Sequence, residues 1–157
     1  PGETALLRQG HGDPWHGLTI GIEDVADHGA RRREMLSDAS LDPVERLRRY
    51  FRGMADAMVR DDFQRGCLIG NFSTELSAQR KDVRHRLSAI FATWTRSIEP
   101  CVREAQKAGR VQPNLPASTI TNFLLNAWEG TVLRSKAEQD KSPFDHFERV
   151  VFATIFT

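Results

Sequence analysis

Two cysteines and five histidines are the residues of this chain best suited to attack, pass a proton or hold a metal near neutral pH. His11, His16, His28, His85 and His146 are scattered, and no Cys/His set has the short paired spacing of a zinc site. No metal and no cofactor are therefore expected. The sequence contains no G-x-x-x-x-G-K, G-x-S-x-G, H-E-x-x-H or G-x-G-x-x-G, so an enzyme has no support from motifs. Cys67 stands apart because it opens a short apolar run, Cys67 to Leu76, that reads as a helix. At a helix N-terminus the dipole can lower a thiol's pKa and make it reactive. The competing reading is a buried, inert small hydrophobe. Cys67 and Cys101 are too few for a disulfide framework and point to a reducing compartment, with the cytoplasm as default.

The elements that must position these groups are helical. Asp42 and Pro43 form an N-cap and a first-turn proline. Val44, Leu47, Phe51, Met54 and Met58 then recur at three- and four-residue steps, which predicts an amphipathic helix to about Asp62. Gly66 and Gly70 read as a helix boundary with close packing. A long helix is predicted from Lys81 to Ala108, with the stripe Val83, Leu87, Ile90, Phe91, Trp94, Ile98, Val102 and Ala105, and with Gly109 as its left-handed stop. Pro100 lies inside that stripe, so a kink near Arg96 to Pro100 or a break into two helices is expected.

The two prolines of 111–116 predict a loop. A helix over 117–138 carries Ile120, Phe123, Leu124, Ala127, Trp128 and Val132 on more than one face. Ser142 and Asp145 form an S-x-x-D start for a last helix with Phe144, Phe147, Val150, Val151, Phe152 and Ile155. No period-2 run predicts a strand, so the fold class is all-α. The last two helices are too apolar for a small monomer. A homodimer through a four-helix interface of residues 117–138 and 143–157 is expected, the alternative being a monomer with a thick core.

Composition sets the outer limits. The 157 residues fit one domain, or one with a short appendage, and 39% apolar with 27% charged residues can fill a core. No span approaches the roughly 20 apolar residues of a membrane helix, and no signal peptide opens the chain. The 22 Lys+Arg against 21 Asp+Glu do not advertise a nucleic-acid partner. Between Arg31 and Arg60 eight arginines face five acids, an excess read as helix-surface charge. The chain opens at Pro1 and its first methionine is Met35, so the intact translation product is expected to be longer.

Three segments, in this order and spacing, carry a family resemblance: Arg65-Gly-Cys-Leu-Ile-Gly-Asn71 with Glu75-Leu76, Arg103-Glu-Ala-Gln-Lys-Ala-Gly109, and Ala127-Trp-Glu-Gly-Thr-Val-Leu-Arg-Ser-Lys136. Together they resemble the ligand-binding domain of the TetR family of bacterial transcriptional repressors. The similarity extends over about Asp42 to Phe156, and is greatest to the branch with relatives responding to small unsaturated acids and reactive electrophiles. At the front, Glu3-Thr-Ala-Leu-Leu-Arg-Gln9 is similar to the family's first DNA-binding helix. Leu18-Thr-Ile-Gly-Ile-Glu-Asp-Val-Ala26 is similar to the start of the second.

After Ala30 the family pattern should turn into a recognition helix, but the sequence passes to Arg31-Arg-Arg-Glu-Met-Leu36, which resembles the end of the fourth helix. Roughly 25 to 30 residues of the pattern are missing there. Either they belong to the protein but not to the sequence as it stands, which the matching flanks favour, or a deletion has removed them.

The resemblance implies two domains: a partial helix-turn-helix DNA-binding domain over 1–30, and a helical ligand-binding and dimerisation domain over 31–157. The implied function is a repressor released from operator DNA by a small-molecule effector, with no role in a membrane. The alternative is a dimeric ligand-binding module that has lost DNA binding. Thr19, Ile20 and Gly21 would approach DNA, Thr19 capping a helix and facing a phosphate. Asn71, Trp94, Trp128, Glu129 and Arg134 would line the effector pocket, Arg134 as a fork for a carboxylate. For Trp94 and Trp128 the competing role is core packing; for Glu129 and Arg134 it is pairing with other charges. Lys136 holds the position that partners the cysteine in electrophile-responsive relatives, so Cys67 with Lys136 forms the redox or electrophile-sensing pair.

Overall fold

The computed structural model describes residues 33–78, 80–111 and 114–156. Residues 1–32, and with them the whole 1–30 region and Thr19, Ile20 and Gly21, lie outside the described residues. The described chain is helical, as the periodicity predicts. It comprises α1 (Pro43–Arg60), α2 (Leu68–Leu76), α3 (Lys81–Lys107), α4 (Ala117–Glu138) and α5 (Ser142–Val150), which continues into a π-helical turn, Val151–Ile155. A helical turn at 33–36 precedes them. The extended backbone found is a single antiparallel bridge between Val111 and Phe156, which ties the end of the described chain to the loop after α3.

Asp42 caps α1 as expected: its Oδ1 accepts from the Val44 amide at 2.9 Å, and Pro43 occupies the first turn. The predicted end at Asp62 is two residues too far. Asp62 and Phe63 take positive φ of 50° and 56°, closing the helix so that Phe63 is buried. The predicted stripe faces inward, with Val44, Leu47, Phe51 and Met54 buried and Met58 packed against them. Burying each such side chain stabilises the fold by about 1.5–3 kcal/mol.

Pro100 does not divide α3, which runs as one element through it. Pro100 lies on the solvent side while its neighbours Ile98, Cys101 and Val102 are buried. The lost backbone hydrogen bond is therefore on the side that water can reach. Gly109 stops the helix in the left-handed region, at φ 71°. The start of α5 differs from the predicted one: Ser142 is already helical, and the Asp140 side chain caps it by accepting from the Ser142 amide at 2.7 Å. Lys141 pairs with Asp145 one turn on.

The main core joins α1, α3, α4, α5 and the π turn. A smaller cluster of Ile69, Val83 and Leu87 fastens α2 to the start of α3, and Cys67 packs against both clusters. Among the described residues, the arginines of 33–60 are only partly solvated surface. Arg52 and Arg48 reach across to Glu148 of α5, and the Arg48 guanidinium lies 4.7 Å over the Phe152 ring. Arg46 is buried, donating to the Leu36 carbonyl at 2.8 Å and pairing with Glu104 of α3.

Candidate functional site

Helix α4 divides its sides among three neighbours. Ile120, Leu124, Trp128, Val132 and Ser135 face the main core. Phe123, Gly130 and Leu133 face solvent. Glu129 and Lys136, seven residues apart and so on one side, reach toward the start of α2. There the chain leaves α1 through Arg65 and Gly66, with Gly66 at φ 68°, and Cys67 becomes the N-cap of α2.

This junction gathers four of the seven ligand- and thiol-site residues expected from sequence: Cys67, Asn71, Glu129 and Lys136. The Arg65 carbonyl accepts from Asn71 Nδ2 at 2.9 Å and from Lys136 Nζ at 3.4 Å. The Glu129 carboxyl lies beside Cys67 and Gly70. Its Oε1 is out of water without a hydrogen-bond partner.

The electrostatics reverse one expectation. The N-terminus of α2 does favour the thiolate, through the Ile69 and Gly70 amides, but burial and the neighbouring Glu129 charge outweigh it. The Cys67 thiol is pushed up to about 12, not down. Burial pushes the Glu129 carboxyl above the usual carboxylate range, against a smaller opposing pull from the thiol. Cys101 is also raised, to about 11, by burial, with Arg46 opposing, and its thiol lies 3.2 Å from the Pro43 carbonyl.

The remaining expected residues lie elsewhere. Trp94 is half-buried, stacks on Phe91, and donates from Nε1 to the Tyr50 hydroxyl at 2.6 Å. Trp128 belongs to the aromatic core of Phe51, Phe144 and Phe147, and floors a groove of about 160 Å³ between α1 and α5. Arg134 is exposed and pairs with Glu138 along its own helix, away from the Cys67 junction. Tyr50 was not anticipated, although it lies three residues after Leu47 and four before Met54 on the buried side of α1; that spacing, and its being the chain's single tyrosine, were the available signals. Among the described residues no group of three or more His, Cys, Asp or Glu could hold a metal ion.

Residues 43–151 match the family described as "Tetracyclin repressor-like, C-terminal domain". The HTH-type transcriptional repressor DhaR of Mycobacterium sp. (strain GP1) is 40% identical over 120 residues, covering 76% of this chain and 59% of that protein. The transcriptional regulator AcuR of Cereibacter sphaeroides is 36% identical over 112 residues, covering 71% of this chain and 51% of that protein. A crystal structure of a regulatory protein TetR from Rhodobacter sphaeroides superposes with a TM-score of 0.80 at 32% identity, over 85% of this chain and 71% of that one. The chain thus spans 59% and 51% of these two curated relatives. Sequence motifs, helix order and superposition agree: the chain belongs to the TetR family, through its tetracycline-repressor-like C-terminal domain.

Proposed function

We propose that this chain is the sensing and dimerising part of a TetR-type transcriptional repressor that leaves operator DNA when a small effector binds. The observation carrying this reading is the polar junction of Cys67, Asn71, Glu129 and Lys136, set between α2 and α4 inside the domain that matches the family. A buried carboxyl oxygen without a partner is costly and is relieved when a ligand donor reaches it. The relatives are named as a repressor and a regulator, which supports a regulatory role over an enzymatic one. Asn71 and Glu129 are the effector contacts of this reading. Trp94, Trp128 and Arg134 would act from further away, through packing and helix charge. Thr19, Ile20 and Gly21 keep their proposed approach to DNA.

No helix among the described residues is long and apolar enough to cross a membrane, in keeping with a proposed cytoplasmic site of action. Two copies are proposed to meet through the outer faces of α4 and α5, where Phe123, Leu133 and Val150 are exposed. Effector and DNA then oppose one another by linkage: each weakens the other's binding by the same factor. The test is selection of double-stranded DNA from a random pool by the purified protein, followed by release with candidate small molecules. Retained DNA that an effector displaces is the expected result. Saturable effector binding without any DNA retention would overturn it in favour of a dimeric binding module.

A further inference from the structure

The exposed cations of this domain are mostly matched by nearby acids. Arg49 pairs with Glu45, Arg65 with Asp61, Arg103 with Glu99 and Arg134 with Glu138, each four residues apart. The start of α3 is different. Residues 80–86 hold four Lys or Arg against one acid, Asp82, and Arg80 already takes Asp82 at 2.8 Å. Lys81, Arg84 and Arg86 are exposed, as is His85, and among the described residues no acid pairs with those three cations. The dipole of α3 is positive at this end, so helix stability alone disfavours cations there. Val83 and Leu87 fasten the inner side of the same two turns to Ile69 of α2. The cations thus stand on a firmly packed support.

This basic surface has a defined place in the domain. Arg46 meets Glu104 and Tyr50 meets Trp94, so α3 runs antiparallel to α1 and begins toward the Arg60 end of it. A Cβ at Gly53 would stand 3.9 Å from Met35 Sδ, whereas the Leu36 carbonyl lies further back, on Arg46. The described chain therefore enters along α1 from the same end as the basic surface. The 9–30 stretch, expected to approach DNA, contains Asp13, Glu23, Asp24 and Asp27 and neither Lys nor Arg. It cannot itself neutralise phosphates, so the cations for them must come from elsewhere in the protein. We propose that Lys81, Arg84 and Arg86 form a second DNA contact, made by the sensing domain with backbone phosphates outside the base-reading surface. This rests on the repressor reading above and adds a partner surface to it. Duplex DNA carries closely spaced negative charge along its length, which suits three cations within two turns of one helix. Such contacts hold the protein to DNA of any sequence and leave the choice of operator to base contacts.

Binding of the purified protein to a random-sequence duplex, and to duplex selected from the pool, is followed by fluorescence anisotropy over about 50–200 mM salt. Lys81→Gln, Arg84→Gln and Arg86→Gln together are expected to lower the log–log salt slope by about two to three, roughly 0.9 for each phosphate lost. At the lowest salt both duplexes should bind at least about tenfold more weakly, because phosphate contacts carry no sequence. Arg84→Gln alone should lower the slope by about one, and serves if the triple variant does not fold. Arg103→Gln, Lys107→Gln and Arg110→Gln remove the same charge at the far end of α3 and should leave the slope unchanged. An equal loss from both triple variants would reduce the effect to net charge and overturn the contact. An unchanged slope in the first variant, with selected duplex still held, overturns it and leaves the repressor reading standing. If that variant keeps its slope but melts lower than the parent without DNA, the partner is the acidic 9–30 stretch, and the proposal fails. A parent that binds neither duplex refutes the repressor reading and the second contact together.

Discussion

At the scale of single residues, Glu129 gives the sharpest pH prediction. Its folded-state pKa is raised by burial above the ordinary 4.5. The folded state therefore holds that proton longer than the unfolded chain does, and the associated stability is complete below pH 4.5 and is lost as pH rises through the folded value. Glu129→Gln should match the parent at acid pH and become the more stable of the two towards neutrality, in urea titrations at several pH values. Equal pH dependence of the two proteins would show that the carboxyl is solvated in the fold. The glycines supply a second prediction. Gly66→Ala meets both a left-handed φ and the Lys136 stem, whereas Gly109→Ala meets a left-handed φ alone, with nothing within 4 Å. Each should lose about 1–2 kcal/mol from backbone strain, and thermal melts should show the larger loss at Gly66. The grouping of Cys67 with Asn71 was legible in the spacing of the Gly-Cys-x-x-Gly segment. The reversal of the thiol's expected pKa was not, because it comes first from burial and then from Glu129, and packing of segments far apart in sequence sets both.

At the scale of elements, the buried Arg46 fastens three parts of the chain: the 33–36 turn through the Leu36 carbonyl, α1 on which it sits, and α3 through Glu104. The two partners are unequal, since the Arg46 side chain is 7% exposed and that of Glu104 is 52%. Removing the exposed partner strands a buried cation, whereas removing Arg46 leaves an acid that water can solvate. Glu104→Ala should therefore cost up to about 3 kcal/mol, the lower end for an orphaned buried charge. Arg46→Met, which keeps much of the stem, should cost less. Chemical denaturation of both variants decides it, and the reverse order would mean that the Leu36 carbonyl contributes more than the ion pair. Helix positions and inward faces were readable because apolar stripes at three- and four-residue steps bury whole helices. Arg46 was hidden because an arginine two residues after Val44 reads as surface until α3 is seen packing over it. Of the two outcomes expected at Pro100, a kink or a break, the break is not found, for a related reason. Periodicity locates a proline on a helix, but the cost of its missing hydrogen bond depends on which side water reaches.

At the scale of the whole molecule, the outer surface of α4 and α5 carries the last prediction. Phe123, Gly130 and Leu133 fall within one stripe of α4, and Val150 of α5 joins them in exposure, while Gly130 has open space where a Cβ would sit. Large exposed side chains beside a bare glycine suit close approach by another helix, and α4 has already committed its other sides to the core and to Cys67. A two-fold interface uses each residue twice, so one substitution removes two contacts. With about 1.5–3 kcal/mol for each buried apolar side chain, Leu133→Glu should weaken dimerisation by at least about a hundredfold. Val59→Glu, at an exposed apolar residue near the end of α1, should leave it unchanged. Sedimentation equilibrium over a range of concentrations reads both. A parent protein that is monomeric throughout would refute the interface. A dimer insensitive to Leu133→Glu would move it to another face. The position of this face also bears on sensing. Glu129 and Gly130 are consecutive residues of α4, one turned to the thiol and the other to the proposed partner. A change in packing at Cys67 that rotates or shifts α4 must therefore be felt at the interface. Comparing the dimer dissociation constant before and after Cys67 is capped measures that coupling directly. A changed constant in the parent, absent in Cys67→Ser, is the expected outcome.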